Sequence, residues 1–167
     1  MSAITTKQPT SVAAIWWAAV RPNTLWAGAT PVFVGSALAF ADQSFALGPA
    51  LGALIGALLI QIGTNLFNDY EDHRKGADTE ARLGPARATQ KGWLSPSEIL
   101  QGVKVSLALA FLVGIYLVWV GGWPIVALGL ASLVCALAYT GGPFPLAYLG
   151  LGDVFVMAFF GVGAVCG

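Results

Sequence analysis

Charge is scarce in this sequence. Its 167 residues include eight Lys or Arg and eight Asp or Glu, and the net charge is zero. A chain so sparsely and evenly charged offers no basic field to a nucleic acid, and no such partner is expected. Cysteine is almost missing as well. Cys135 and Cys166 both lie in apolar runs, and two thiols without metal-site spacing exclude a disulfide framework and a zinc centre. The single histidine, His73, sits in a polar stretch and is expected to be a loop residue rather than a base. No cleavable leader is legible. The first ten residues are mostly polar, and no short apolar core with a small-residue cleavage pattern follows, so the first apolar segment is expected to be retained.

Apolar residues fill the space. The chain is 57% hydrophobic with 21 Gly, and its mean hydropathy is +0.76. That composition predicts an all-α fold, a polytopic transmembrane helical bundle. Residues 1–20 read as a tail and an interfacial helix. Trp16 and Trp17, close to Arg21, either anchor that helix at the membrane interface or pack into the core. Arg21-Pro22-Asn23-Thr24 breaks the chain, and Pro22 suits the first turn of a span over 24–41. Pro31 should kink that span. A second span over 45–68 carries Gly48, Gly52, Gly56 and Gly63, which allow close helix packing. Its Gln61, Asn65 and Asn68 should face the bundle interior. Residues 69–97 form the only long polar loop. Ser95-Pro96-Ser97-Glu98 has the signature of a helix start, with Ser95 as N-cap and Glu98 three residues on. Spans over 99–120 and 123–139 follow, then an uncharged Gly/Pro-rich connection over 140–150. A fifth span begins near 151.

If the spans alternate, the cations sort to one side. Lys7, Arg21, Arg74, Lys75, Arg82, Arg87, Lys91 and Lys104 share it, and the turns at Asp42 and Gly121-Gly122 carry no Lys or Arg. The positive-inside rule then predicts a multi-pass protein of the cell inner membrane. Its N-terminus and the 69–97 loop would be cytoplasmic.

The stretch Asn65-Leu66-Phe67-Asn68-Asp69-Tyr70-Glu71-Asp72 lies where the second span meets that loop. On a helix Asn65, Asn68, Asp69 and Asp72 fall at i, i+3, i+4 and i+7, which is one face. Carboxylates crowded onto one face repel unless a cation joins them, and polar groups at a span are costly unless something binds there. A hard divalent cation takes oxygen ligands, and Mg²⁺ is usually held by one or two carboxylates plus substrate phosphates. The plainer alternative is an acidic loop that water solvates, with Asp72 paired to Lys75 three residues on. Beyond the cluster, residues 83–92 mix cations, a hydroxyl and glycines, a composition able to wrap phosphate oxygens.

These residues resemble the UbiA superfamily of intramembrane prenyltransferases. The family's first aspartate-rich motif reads N-D-x-x-D-x-x-x-D. Asn68-Asp69-x-x-Asp72 matches it, Gly76 stands where the last Asp belongs, and Asp78 follows two residues later. Further stretches are similar to the 1,4-dihydroxy-2-naphthoate polyprenyltransferase branch. They are Arg21-Pro22-x-Thr24, Gly63-Thr64-Asn65-Leu66-x-Asn68-Asp69-Tyr70, Arg82-Leu83-Gly84-Pro85-x-Arg87-x-Thr89-Gln90 and Tyr139-Thr140-Gly141-Gly142-Pro143. The resemblance runs over most of the chain after Ser11 and implies that residues 21–167 are part of a larger domain. Such proteins resemble nine-helix bundles of about twice this length, so about five of nine spans are expected here. A second aspartate-rich motif is expected elsewhere in such a bundle. The sole carboxylate after Glu98 is the isolated Asp153.

The resemblance also implies roles. Two aspartate-rich motifs hold Mg²⁺ against the diphosphate of a polyprenyl diphosphate, the allylic C–O bond ionises, and the carbocation alkylates an aromatic ring. In the naphthoate branch the attacked carbon loses its carboxyl group as CO₂. Asn68 and Asp72 are the expected catalytic pair. Asn65, Asn68, Asp69, Asp72 and Asp78 are candidate metal ligands, and Arg74, Lys75, Arg82, Arg87 and Lys91 are candidate diphosphate contacts. For the aromatic acid, 1,4-dihydroxy-2-naphthoate or a similar one, the candidates are Arg21, Tyr139 and Asp153. Arg21 is otherwise a snorkelling anchor, and Tyr139 either offers its ring face to the cation or sits in the interface belt. Competing readings are another aromatic prenyltransferase of the superfamily and a non-catalytic truncated membrane protein. A transporter would rest only on polar residues within a span.

Overall fold

A computed structural model describes residues 11–76 and 87–138 of the chain. Five helices occupy them: α1 (Val12–Val20), α2 (Pro22–Ala41), α3 (Leu47–Arg74), α4 (Pro96–Gly121) and α5 (Trp123–Ala138). No strand occurs among the described residues. α2, α3 and α4 are long and apolar enough to cross a membrane, and the protein is a membrane protein. Tyr139, the 140–150 connection and the expected fifth span lie outside the described residues.

The first break has a local cause. Ser11 caps α1 by accepting from the Ala14 N–H at 3.2 Å. A residue before proline is pushed out of the α region, so a helix running into Arg21-Pro22 must stop. Arg21 takes a left-handed conformation, φ 53° and ψ 70°. Its carbonyl accepts from both the N–H and the hydroxyl of Thr24, each at 2.9 Å. Pro22 then opens α2 at a position where no N–H is needed. α2 continues as a helix through Pro31, which is buried.

α3 and α4 form the most extensive helix contact and run antiparallel. A side chain on Gly63 would strike Leu107 and one on Gly52 would strike Leu117 and Tyr116, so positions that ascend along α3 meet positions that descend along α4. The small residues let the two backbones approach. α4 starts as its sequence predicts. Ser95 Oγ accepts from the Glu98 N–H at 3.3 Å, and Glu98 Oε2 accepts from the Ser95 N–H at 2.8 Å.

Buried apolar side chains gather at one end of the bundle. Ala19 of α1, Leu66 of α3, Ala88 and Leu94 of the following loop, and Ile99 and Val103 of α4 form a cluster edged by Trp16, Phe67, Tyr70 and Trp93. Trp16 therefore lies at the edge of the packed end, while Trp17 is exposed. Phe33, Leu38 and Phe40 on α2 and Phe111, Leu112 and Trp119 on α4 are also exposed, as expected of faces that a bilayer covers. The cluster sets a tight limit at Gly102. A Cβ there would sit 2.9 Å from the Trp16 ring and 3.0 Å from Leu66. Gly102→Val is expected to cost about 1–3 kcal/mol and to loosen α1. The check is hydrogen exchange, which should rise within α1 while the α3–α4 contact stays protected.

One boundary differs from the sequence expectation. Polarity predicts a loop from residue 69, whereas α3 continues to Arg74. Nothing between Asn68 and Arg74 breaks a helix. Gly76 does, with φ +63° and its N–H bonded to the His73 carbonyl at 3.1 Å. His73 is accordingly helical and exposed, not a loop residue.

Candidate active site at the end of α3

The extra turns of α3 carry Asp69, Glu71 and Asp72, all three buried, and the segment 87–89 closes over Asp69 and Asp72. Asp69, at 1% exposure, is among the most buried side chains described. Its Oδ2 accepts from the Ala88 N–H at 3.0 Å, and its Oδ1 accepts from the Thr89 hydroxyl. Asp72 pairs with the Arg87 guanidinium. Arg87 also donates from Nη1 to the Asn68 carbonyl at 2.6 Å, and it is itself buried. The segment is tightly wound, with Lys91 N–H on the Arg87 carbonyl and Trp93 N–H on the Ala88 carbonyl, so these contacts come as a set.

The other predicted residues take varied places. Asn65 is buried one turn before Asp69 and fastens α3 to the α1–α2 break. Its Nδ2 donates to the Val20 carbonyl at 2.9 Å and to Thr24 Oγ1 at 2.7 Å, while Gln61 reaches its Oδ1 at 3.5 Å. Arg21 is half-buried at that break. Asn68 is half-buried beside Asp72 on the helix. Arg74 and Lys75 both clasp Glu71, at 2.9 and 3.5 Å. Glu71, four residues before Lys75, is one partner of that cation, and Arg87 is one partner of Asp72. Lys91 is exposed. Asp78, Arg82, Tyr139 and Asp153 lie outside the described residues.

Sequence reasoning missed Thr89, Thr24 and Glu71. Thr89 had a signal, because it stands two residues after Arg87 in the motif that carries the naphthoate-branch resemblance. Glu71 had none beyond its place among carboxylates.

Chemically, the cluster suits a cation held by oxygen donors. Asp72 is a buried carboxylate that already has a positive group beside it, and Asn68 adds a carboxamide one turn earlier on the same face. These are donors that a divalent metal ion takes. Among the described residues no three His, Cys, Asp or Glu side chains converge. The described side chains alone would therefore leave such an ion partly coordinated.

Comparison with known proteins decides the family. The model of the UbiA prenyltransferase family matches residues 28–167. The chain belongs to the UbiA prenyltransferase family. Within it, the chain is 37% identical over 161 residues to a 1,4-dihydroxy-2-naphthoate octaprenyltransferase of Haemophilus influenzae, covering 92% of this chain and 52% of that protein. It is 39% identical over 168 residues to the protein of that name in Escherichia coli, covering 97% and 54%. For the Bacillus subtilis protein the identity is 37% over 151 residues, covering 90% and 49%. The chain thus spans about half the length of the curated relatives it matches. No solved structure gives a significant match.

Proposed function

We propose that residues 21–167 form part of an intramembrane aromatic prenyltransferase. It moves a polyprenyl group from its diphosphate to 1,4-dihydroxy-2-naphthoate, a step of menaquinone or phylloquinone biosynthesis. The observation that carries this reading is the buried Asp72–Arg87 pair at the end of a membrane-length helix, in a chain of the UbiA family. A carboxylate for a metal and a guanidinium for a phosphate lie side by side there, where a diphosphate headgroup at the membrane surface would arrive.

In this reading Asp72 and Asn68 would hold Mg²⁺ together with the substrate diphosphate. When bound, the ion neutralises the leaving diphosphate. The chain's residues do the rest. Arg87 offers a planar fork to the phosphate oxygens. Asp69 and Thr89 hold the segment that carries Arg87. Lys91, and Arg82 in the stretch before it, add positive charge around the headgroup, and Asp78 is a further candidate ligand of the ion. Arg21, placed by Asn65 and Thr24, faces the acid group of the acceptor, with Tyr139 and Asp153 as further contacts. The protein sits in the cell inner membrane, with the end of α3 and the 69–97 segment on the cytoplasmic side, where the cations cluster.

The test is transfer by the protein, joined to the remainder of its bundle, in lipid nanodiscs with a polyprenyl diphosphate and the naphthoate, following CO₂ release. Arg87→Ala is expected to raise KM for the diphosphate about tenfold to a hundredfold, the loss of one charge-assisted contact of about 1.5–3 kcal/mol. KM for the naphthoate should hold. A change confined to the acceptor would reassign Arg87.

A further inference from the structure

Arg87 lies across the two residues that the proposed function gives to the metal ion. Its guanidinium pairs with Asp72, and its Nη1 is bonded to the Asn68 carbonyl. The placement is built into the backbone. Asp69 grips the Ala88 N–H and the Thr89 hydroxyl, the two residues next to Arg87, and both are buried. The guanidinium is thus delivered to Asp72 by a fastened segment, not by a free surface side chain.

We propose that Arg87 is the resident counter-ion of Asp72, that a divalent ion must displace it, and that the incoming diphosphate takes it up. Two cations on one buried carboxylate repel each other strongly, so the ion alone binds against Arg87. A guanidinium fork fits phosphate oxygens as well as it fits a carboxylate. Once a diphosphate is present, Arg87 has an equivalent partner within side-chain reach while Ala88 and Thr89 stay clamped. Ion and diphosphate therefore load together, and each strengthens the other's binding by the same factor. The identity of the diphosphate rests on the proposed function. The counter-ion role does not.

The experiment uses the purified chain in lipid nanodiscs, with Mn²⁺ followed by electron paramagnetic resonance and farnesyl diphosphate as the second probe. Wild type should bind Mn²⁺ alone weakly, and farnesyl diphosphate should tighten that binding. Arg87→Gln should bind Mn²⁺ alone at least about tenfold tighter than wild type, because the positive charge of the guanidinium beside Asp72 is gone. It should also bind farnesyl diphosphate more weakly. Arg87→Lys keeps the charge and should leave Mn²⁺ affinity within about twofold of wild type, which separates the counter-ion role from any general loosening of the fold. If Mn²⁺ binds Arg87→Gln no tighter than wild type, or not at all, the proposal is overturned. It is also overturned if Arg87→Lys tightens as much as Arg87→Gln. If Arg87→Gln gains Mn²⁺ but wild type ignores farnesyl diphosphate, the counter-ion role stands and the prenyl-diphosphate reading fails.

Discussion

Asp72→Asn is expected to lower the proposed prenyl transfer by about three orders of magnitude, because several kcal/mol of leaving-group stabilisation would go with the ion that Asp72 is proposed to hold. The choice of Asn matters. Asp72 faces Arg87, and both are buried. Removing the side chain altogether would take the carboxylate away from a buried guanidinium, at a cost of about 3–5 kcal/mol. Asn keeps the shape and an oxygen that accepts from Arg87, so the segment 87–89 stays closed. The variant should fold, as judged by its melting temperature and by exchange at the Ala88 amide. Turnover near wild type at saturating Mg²⁺ would reduce Asp72 to a fastener of the loop.

A polypeptide of these 167 residues alone is expected to transfer no prenyl group. The reason is a shortage of carboxylates facing the diphosphate. Asp69 has both oxygens bonded to Ala88 and Thr89, and Glu71 is clasped by Arg74 and Lys75. Asp72 pairs with Arg87, whose guanidinium a diphosphate could take up, Asp78 and Glu80 follow in sequence, and the sole acid after Glu98 is Asp153. One carboxylate set on one side of a metal–diphosphate does not hold the geometry that assists C–O cleavage. Mg²⁺-dependent prenylation of the naphthoate by the isolated polypeptide would refute this. A second copy supplying the missing acids would also refute it, and crosslinking between two 69–78 segments would reveal that route.

Much of the fold was legible because its signals are local. Ser95 and Glu98 announce the start of α4, Arg21-Pro22 announces the break before α2, and glycine spacing marks the face of α3 that meets α4. The reading failed at the end of α3 by following polarity instead of breakers, since Asp69 to Arg74 is polar yet helical until Gly76 turns the chain. Gly76 also explains the departure from the family motif. The position that would hold a third Asp has the left-handed conformation that ends the helix, which glycine suits best. At the site, one helix face correctly collected Asn65, Asn68, Asp69 and Asp72. Their partners were not legible. Asp72 pairs with Arg87 across fifteen residues, and only the closed segment 87–89 brings that partner to it.

The α3–α4 pairing has a consequence for how the chain is made. The end of α3 emerges from the ribosome carrying Asn65, Asp69, Glu71 and Asp72 before the residues that satisfy Asp69 and Asp72 exist. An apolar helix with bare carboxylates at its trailing end resists full entry into lipid. Arg87, Ala88 and Thr89 arrive next, and the Ser95–Glu98 cap then starts α4 beside them. The two helices are therefore expected to settle in the bilayer as a hairpin, with the acidic end of α3 held at the water boundary until its partners are synthesised. Biogenesis and chemistry would then depend on the same contacts.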